Sequence, residues 1–231
     1  MNIKKIKAFG DSFTRGTDLA DCNDTIPSQY TWPALMAKKF SVPYDCHAIG
    51  GQGNMLISNS VFQTYELSKL KNLNFYVINW TWFERFDYIN VNDNIWHTIH
   101  PRDENLESHF FYRHIDNEIW NIIRNMHTIL CTIHFLQSHN VNFFMTCLDD
   151  LLWSKNYDKN YIPIINSLQQ QIQPYIHQLN RKNFYKWAKD QNFFMGLTGH
   201  PLEEAHREAA SLWYQDFQIE LSKNNFVNLD N

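Results

Sequence analysis

The stretch Asn74-Phe-Tyr-Val-Ile-Asn-Trp80 restricts the fold more than any other part of the chain. It carries no charge and no sustained apolar–polar alternation. As a strand it would be buried on both faces, the habit of parallel sheets covered by helices on each side. Ile3 to Phe9, Val42 to Ile49 and Val141 to Cys147 read as further strands, and Asn192 to Met195 as a short fifth one. Between them, Ser28 to Phe40 (with Ser28 as N-cap), Met55 to Leu70 and Leu202 to about Leu221 read as helices, and Ile162 to Asp190 as helical in parts. The clearest helical period is Ile115, Ile119, Ile122, Met126, Ile129, Ile133 and Leu136, with steps of four and three in turn. Strands alternating with helices predict an α/β fold on a parallel five-stranded sheet, as one domain over residues 1–231. Residues 81–113 have no convincing period and are crowded with aromatics, so a cap-like insertion over the site is expected there.

Composition excludes several function classes. A net charge of −4 argues against nucleic acid or an anionic membrane as a partner. The four cysteines, Cys22, Cys46, Cys131 and Cys147, form no C-x-x-C pair, so neither a disulfide framework nor a zinc site is expected, and no metal or cofactor is implied. Lys4, Lys5 and Lys7 precede no apolar run of the secretory kind, and no run approaches the ~20 residues of a membrane span. A cytoplasmic location is expected, or association with a virion if the source is viral.

Chemistry concentrates in the turns. Gly10-Asp11-Ser12-Phe13-Thr14-Arg15-Gly16 follows the first strand and lifts a serine off its carboxyl end. Gly50-Gly51-Gln52-Gly53-Asn54 follows the second strand, Thr81-Trp82 the third, and Gly199-His200-Pro201 the fifth. All four would project from the same sheet edge, where ligands collect in open α/β sheets. A lone serine is a weak nucleophile, so Ser12 needs a base and an oxyanion site to act.

These blocks, in this order, resemble those of the SGNH/GDSL hydrolases. The resemblance spans nearly the whole chain and implies a flavodoxin-like, three-layer α/β/α sandwich. Gly10-Asp11-Ser12 with Gly16 matches the nucleophile block, which makes Ser12 the expected nucleophile. Ala48 to Asn54 is similar to the second block, whose glycine gives an amide to the oxyanion, here Gly51 with Gly53 behind it. The family's third block is Gly-x-Asn-Asp, its asparagine an oxyanion donor. Here Thr81 takes the asparagine's place and Asn79 the glycine's, and either is a candidate donor.

Gly199-His200-Pro201 with Ala205-His206 resembles the last block, so His200 is the expected base. The aspartate that the family places two or three residues earlier is replaced by Leu197 and Thr198. Thr198, a backbone carbonyl, Asp149, Asp150, Glu203 or Glu204 are the candidates to orient His200. A Glu203-x-x-His206 pair is a lesser alternative base.

The resemblance implies serine-dependent hydrolysis of a small acyl ester, most plausibly an O-acetyl group on a carbohydrate, through an acyl-enzyme. The alternative is a catalytically impaired binding module of the same fold for a glycan or a protein. Other residues have plainer expected roles. His97, His100, His109 and His114 read as surface residues, and Glu84 with Arg85 as an ion pair at the base of the cap. The cap's aromatics are open to stacking on sugar rings, lining an acyl pocket or simply packing.

Overall fold

The computed structural model describes residues 3–23, 25–68, 73–154, 157 and 159–223. The first half of the chain runs β1 (Lys5–Phe9), α1 (Ser12–Arg15), α2 (Trp32–Lys39), β2 (Tyr44–Cys46), α3 (Asn54–Leu67) and β3 (Asn74–Trp80). A hairpin follows, β4 (Phe86–Ile89) and β5 (Trp96–Ile99), then α4 (Leu106–His114), α5 (Glu118–Ser138) and β6 (Asn142–Cys147). The chain continues through α6 (Ile162–Ile172), α7 (Phe184–Asp190), α8 (Glu203–Leu212) and α9 (Tyr214–Lys223).

The main sheet is parallel, in the order β2-β1-β3-β6. Every residue of β3 is buried. Its side chains alternate between two cores: Phe75 and Val77 join Trp32, Met36, Phe144, Trp213 and Phe217, while Tyr76, Ile78 and Trp80 join Ile57, Val61, Met126, Ile129 and Ile165. Two cores on opposite faces make three layers, with α2, α7, α8 and α9 on one side and α3, α5 and α6 on the other. The 115–136 stripe is the buried seam of α5 from Ile122 to Leu136, whereas Ile115 lies before the helix and is 52% exposed.

The fold departs from the sequence expectation at four places. The described residues form four strands in this sheet, not five. Beyond β6 the chain makes a single parallel bridge at Ile176, and Asn192 to Met195 turns back instead, with Met195 bridged to Pro201. Phe194 and Leu197 are exposed at 78% and 104%, so no apolar face draws that segment into the sheet. Ser28 does not cap α2, whose N-cap is Thr31; the Ser28 hydroxyl bonds to Asp21. The helix expected over 55–70 ends at Leu67, and positions 69 and 70 lie outside the described residues. The expected carboxyl-terminal helix is two helices that meet at Trp213. Residues 81–113 hold the β4–β5 hairpin and most of α4. No helix among the described residues is long and apolar enough to cross a membrane.

Candidate active site

The turn after β1 is built around Asp11, which is fully buried. Its carboxylate caps α1 by accepting the Phe13 amide at 3.0 Å, so Ser12 becomes the first residue of a one-turn helix at the sheet edge. A side chain at Gly10 would meet the Thr14 hydroxyl at 2.2 Å, so only glycine lets this turn close. Ser12 Oγ lies 2.8 Å from His200 Nε2. The Phe13 ring packs 4.6 Å from the imidazole and holds it from one side.

The other nitrogen of His200 has two neighbours. Nδ1 is 2.8 Å from the Thr198 hydroxyl and 3.3 Å from Asp18 Oδ2. That same carboxylate oxygen accepts the Thr198 hydroxyl at 2.7 Å and the Thr198 amide at 2.9 Å. An ionised carboxylate only accepts, so the Thr198 hydroxyl donates to Asp18 and takes the Nδ1 proton of His200 on its lone pair. This fixes the tautomer: Nδ1 carries the proton and Nε2 is free to accept from Ser12. Burial alone would push the Asp18 carboxyl up, but the hydrogen bonds from Thr198 and His200 outweigh it and hold the group below its ordinary value.

Asp18 is the functional residue that the sequence did not give up. It occupies left-handed backbone, φ 74°, in the loop after Gly16, far from the last block in sequence. The signal available was indirect: a polar loop immediately after the short helix that begins at Ser12, and a glycine at 196 in a chain poor in glycine. A Cβ at Gly196 would fall 2.2 Å from Asp18 Cβ, so the missing side chain is the space in which Asp18 sits.

The other candidates lie elsewhere. Asp149 accepts the Phe83 amide at 2.6 Å and the Leu151 amide at 2.9 Å, and burial pushes its carboxyl up. Asp150 is held by Asn183 and Lys186. Glu203 accepts the Ala20 amide at 3.0 Å and so tethers the Asp18 loop rather than the histidine. His206 is buried, its Nδ1 accepting the Trp32 amide at 3.1 Å, and burial with nearby His200 pushes it down to about 3. It is a neutral structural acceptor.

On the oxyanion side, Gly51 has φ 81° and sits partly exposed beside the His100 ring. The Gly53 amide is committed to Asp87 at 2.9 Å. Thr81 is fully buried, and its hydroxyl donates to Asp11 Oδ2 at 2.7 Å. Asn79 is buried as well, its side-chain oxygen accepting from Thr146 at 2.7 Å. Neither Thr81 nor Asn79 lines the cleft.

That cleft, about 620 Å³, is lined by Ser12 and His200, by Phe13, Trp82 and Tyr185, and by the 100–103 turn with Glu84 and Arg85. Arg85 pairs with Asp11 at 3.0 Å, not with Glu84 as the sequence suggested. His100 faces the cleft rather than the surface, and burial together with the Arg85 charge pushes its imidazole down. The aromatic residues of 81–113 mostly pack on one another and on α5: Phe86 stacks on Phe111 at 4.4 Å and lies 5.8 Å from Trp120. Only Trp82 of that set reaches the cleft. Among the described residues no group of three or more His, Cys, Asp or Glu is arranged to hold a metal ion.

No family model matches the sequence, and no curated protein sequence does. Solved structures do match. A member of the lipolytic protein G-D-S-L family from Veillonella parvula aligns with a TM-score of 0.51 at 15% identity, covering 93% of this chain and 98% of that one. A carbohydrate esterase family 2 enzyme with its carbohydrate-binding domain, from Corynascus thermopiles (Myceliophthora fergusii), aligns at 0.53 and 15% identity over 95% of this chain and 67% of that one. The psychrotrophic esterase EstA from Pseudoalteromonas aligns at 0.51 and 12% identity over 95% and 100%. At such identities the likeness speaks for the fold.

Proposed function

We propose that this chain, which shares its fold with the SGNH/GDSL hydrolases, is a serine ester hydrolase acting on small acyl esters. One observation carries the proposal: Ser12 Oγ lies 2.8 Å from His200 Nε2, while the opposite nitrogen is tied to Thr198 and Asp18. Nucleophile, base and orienting group stand in line, as acyl transfer by a serine requires.

His200 Nε2 takes the Ser12 proton as Oγ bonds to the ester carbonyl carbon. The carbonyl electron pair moves onto oxygen, where the amides of Ser12 and Gly51 hold it. The C–O bond to the alcohol then breaks, and the alcohol leaves with the proton from His200. Water attacks the acyl-Ser12 ester with His200 again as base, releasing the acid and restoring Ser12. Asp18, through Thr198, stabilises the imidazolium formed in each half-reaction.

The apolar lining of the cleft is small, Phe13, Trp82, Pro101 and Tyr185, which suits a short acyl group. Glu84, Arg102 and Asp103, which also line the cleft, suit a hydroxyl-rich alcohol, and an O-acetylated carbohydrate meets both conditions. The purified protein is expected to hydrolyse p-nitrophenyl acetate and to be labelled by a fluorophosphonate, both lost in Ser12→Ala. Failure of the unmodified protein in both assays, with retained binding of an acetylated glycan, would favour a binding module instead.

A further inference from the structure

We infer that Arg85 supplies the third oxyanion donor, a role that Thr81 and Asn79, both buried and away from the cleft, do not fill. The inference rests on the serine-hydrolase proposal and adds one catalytic residue to it. Arg85 Nη1 donates to Asp11 Oδ2 at 3.0 Å and to the Gln52 carbonyl at 2.9 Å. Asp11 immediately precedes Ser12, and Gln52 immediately follows Gly51. The guanidinium therefore bridges the two turns whose amides, in the proposed mechanism, hold the oxyanion. Its side chain is only 12% exposed, and it lines the cleft together with Ser12.

A guanidinium has donors to spare. Both contacts to protein use Nη1, and among the described residues neither Nε nor Nη2 has a hydrogen-bond partner or is sealed from solvent. Two features favour directed donation over capture of a free anion. The fully buried Asp11 carboxylate offsets the guanidinium charge, leaving oriented N–H groups with little net charge. The group is also held in place, by two acceptors on Nη1 and by the Trp82 ring with its centroid 5.0 Å from Cζ. Donors fixed in advance need no reorganisation as the oxyanion forms. Thr81, standing where the resemblance places an asparagine, bonds the same Asp11 oxygen at 2.7 Å. Thr81 positions Asp11, Asp11 positions Arg85, and Arg85 takes over the donor role from four residues further along the same turn.

The test is Arg85→Gln assayed with p-nitrophenyl acetate, alongside the inhibition constant of an alkyl boronic acid, whose adduct on Ser12 is tetrahedral and anionic. We expect kcat to fall ~10²–10³-fold with KM held within about threefold, and boronate affinity to fall by a comparable factor. Thr81→Val, which loosens Asp11 but removes no oxyanion donor, should cost less than about tenfold. If Arg85→Gln does not fold, Arg85→Met, which keeps the length but has no donor, carries the same test. A variant that keeps kcat near the unmodified value, or loses KM and kcat as Thr81→Val does, overturns the assignment. Unmodified protein inert toward both the ester and a fluorophosphonate would overturn the hydrolase proposal, and this one with it.

Discussion

Asp18 Oδ2 lies 3.3 Å from His200 Nδ1 across 182 positions of sequence, with the Thr198 hydroxyl hydrogen-bonded to both. The carboxylate reaches His200 from the loop after Ser12 instead of from the residues just before the histidine. Substituting Asp18→Asn keeps the shape but removes the charge that stabilises the imidazolium. We expect kcat on p-nitrophenyl acetate to drop ~10²–10⁴-fold, with Ser12 still labelled slowly. Asp149→Asn, which alters a carboxylate bonded to the Phe83 and Leu151 amides, should instead lower thermal stability and leave kcat within about tenfold.

Thr198 and Asp18 act on His200 as a unit, so their effects should not add. Thr198→Val removes the bridging hydroxyl but leaves Asp18 near enough to bond Nδ1 directly. A loss of ~10-fold or more in kcat is expected, and the double variant with Asp18→Asn should be little worse than Asp18→Asn alone. Additive losses would show two independent contributions.

Gly196 and Gly199 separate steric from conformational cost. An alanine Cβ at 196 would collide with Asp18, 2.2 Å from its Cβ, so Gly196→Ala should displace the carboxylate and reproduce the kinetic loss of Asp18→Asn. At Gly199, φ is 86° and nothing lies within 4 Å of the added atom. There Gly199→Ala should cost only ~1–2 kcal/mol of backbone strain, seen as a lower melting temperature.

His206 gives stability a pH dependence of known sign. Burial, with nearby His200, pushes its folded-state value down to about 3, below that of an imidazole in the unfolded chain. The unfolded state then binds the proton first, so stability is full above the ordinary histidine range and falls as pH drops toward 3. The slope is about 1.4 kcal/mol per pH unit within that window. Urea midpoints from about pH 6 to pH 4 should fall more steeply for the unmodified protein than for His206→Gln, whose amide oxygen still accepts from Trp32.

How much of this was legible in the sequence follows from the range of the forces involved. Strand β3, the α5 stripe and the turn at Ser12 announce themselves because burial and turn geometry act on neighbouring residues. His200 was legible through its motif. Asp18 was not, because its partners Thr198 and His200 are distant in sequence and meet it only once Gly196 has made room. Arg85 was misassigned for a similar reason: its neighbour Glu84 is an obvious partner on paper, whereas buried Asp11 is brought to it by the sheet. The missing fifth strand was a local error, an apolar run that leaves Phe194 in solvent.

The hairpin at 86–99 is fastened to the turn after β2 and the start of α3 by one buried carboxylate. Asp87 accepts the amides of Gly53 and Leu56, at 2.9 and 2.8 Å, and the Thr98 hydroxyl at 2.6 Å. Swinging the hairpin away would strip the two amide donors from a buried acid and leave it only the Thr98 hydroxyl of its own hairpin. Thermal softening of the hairpin would release the 53–56 segment, which follows Gly51, before the sheet itself melted. Loss of p-nitrophenyl acetate hydrolysis on heating should therefore precede global unfolding seen by circular dichroism.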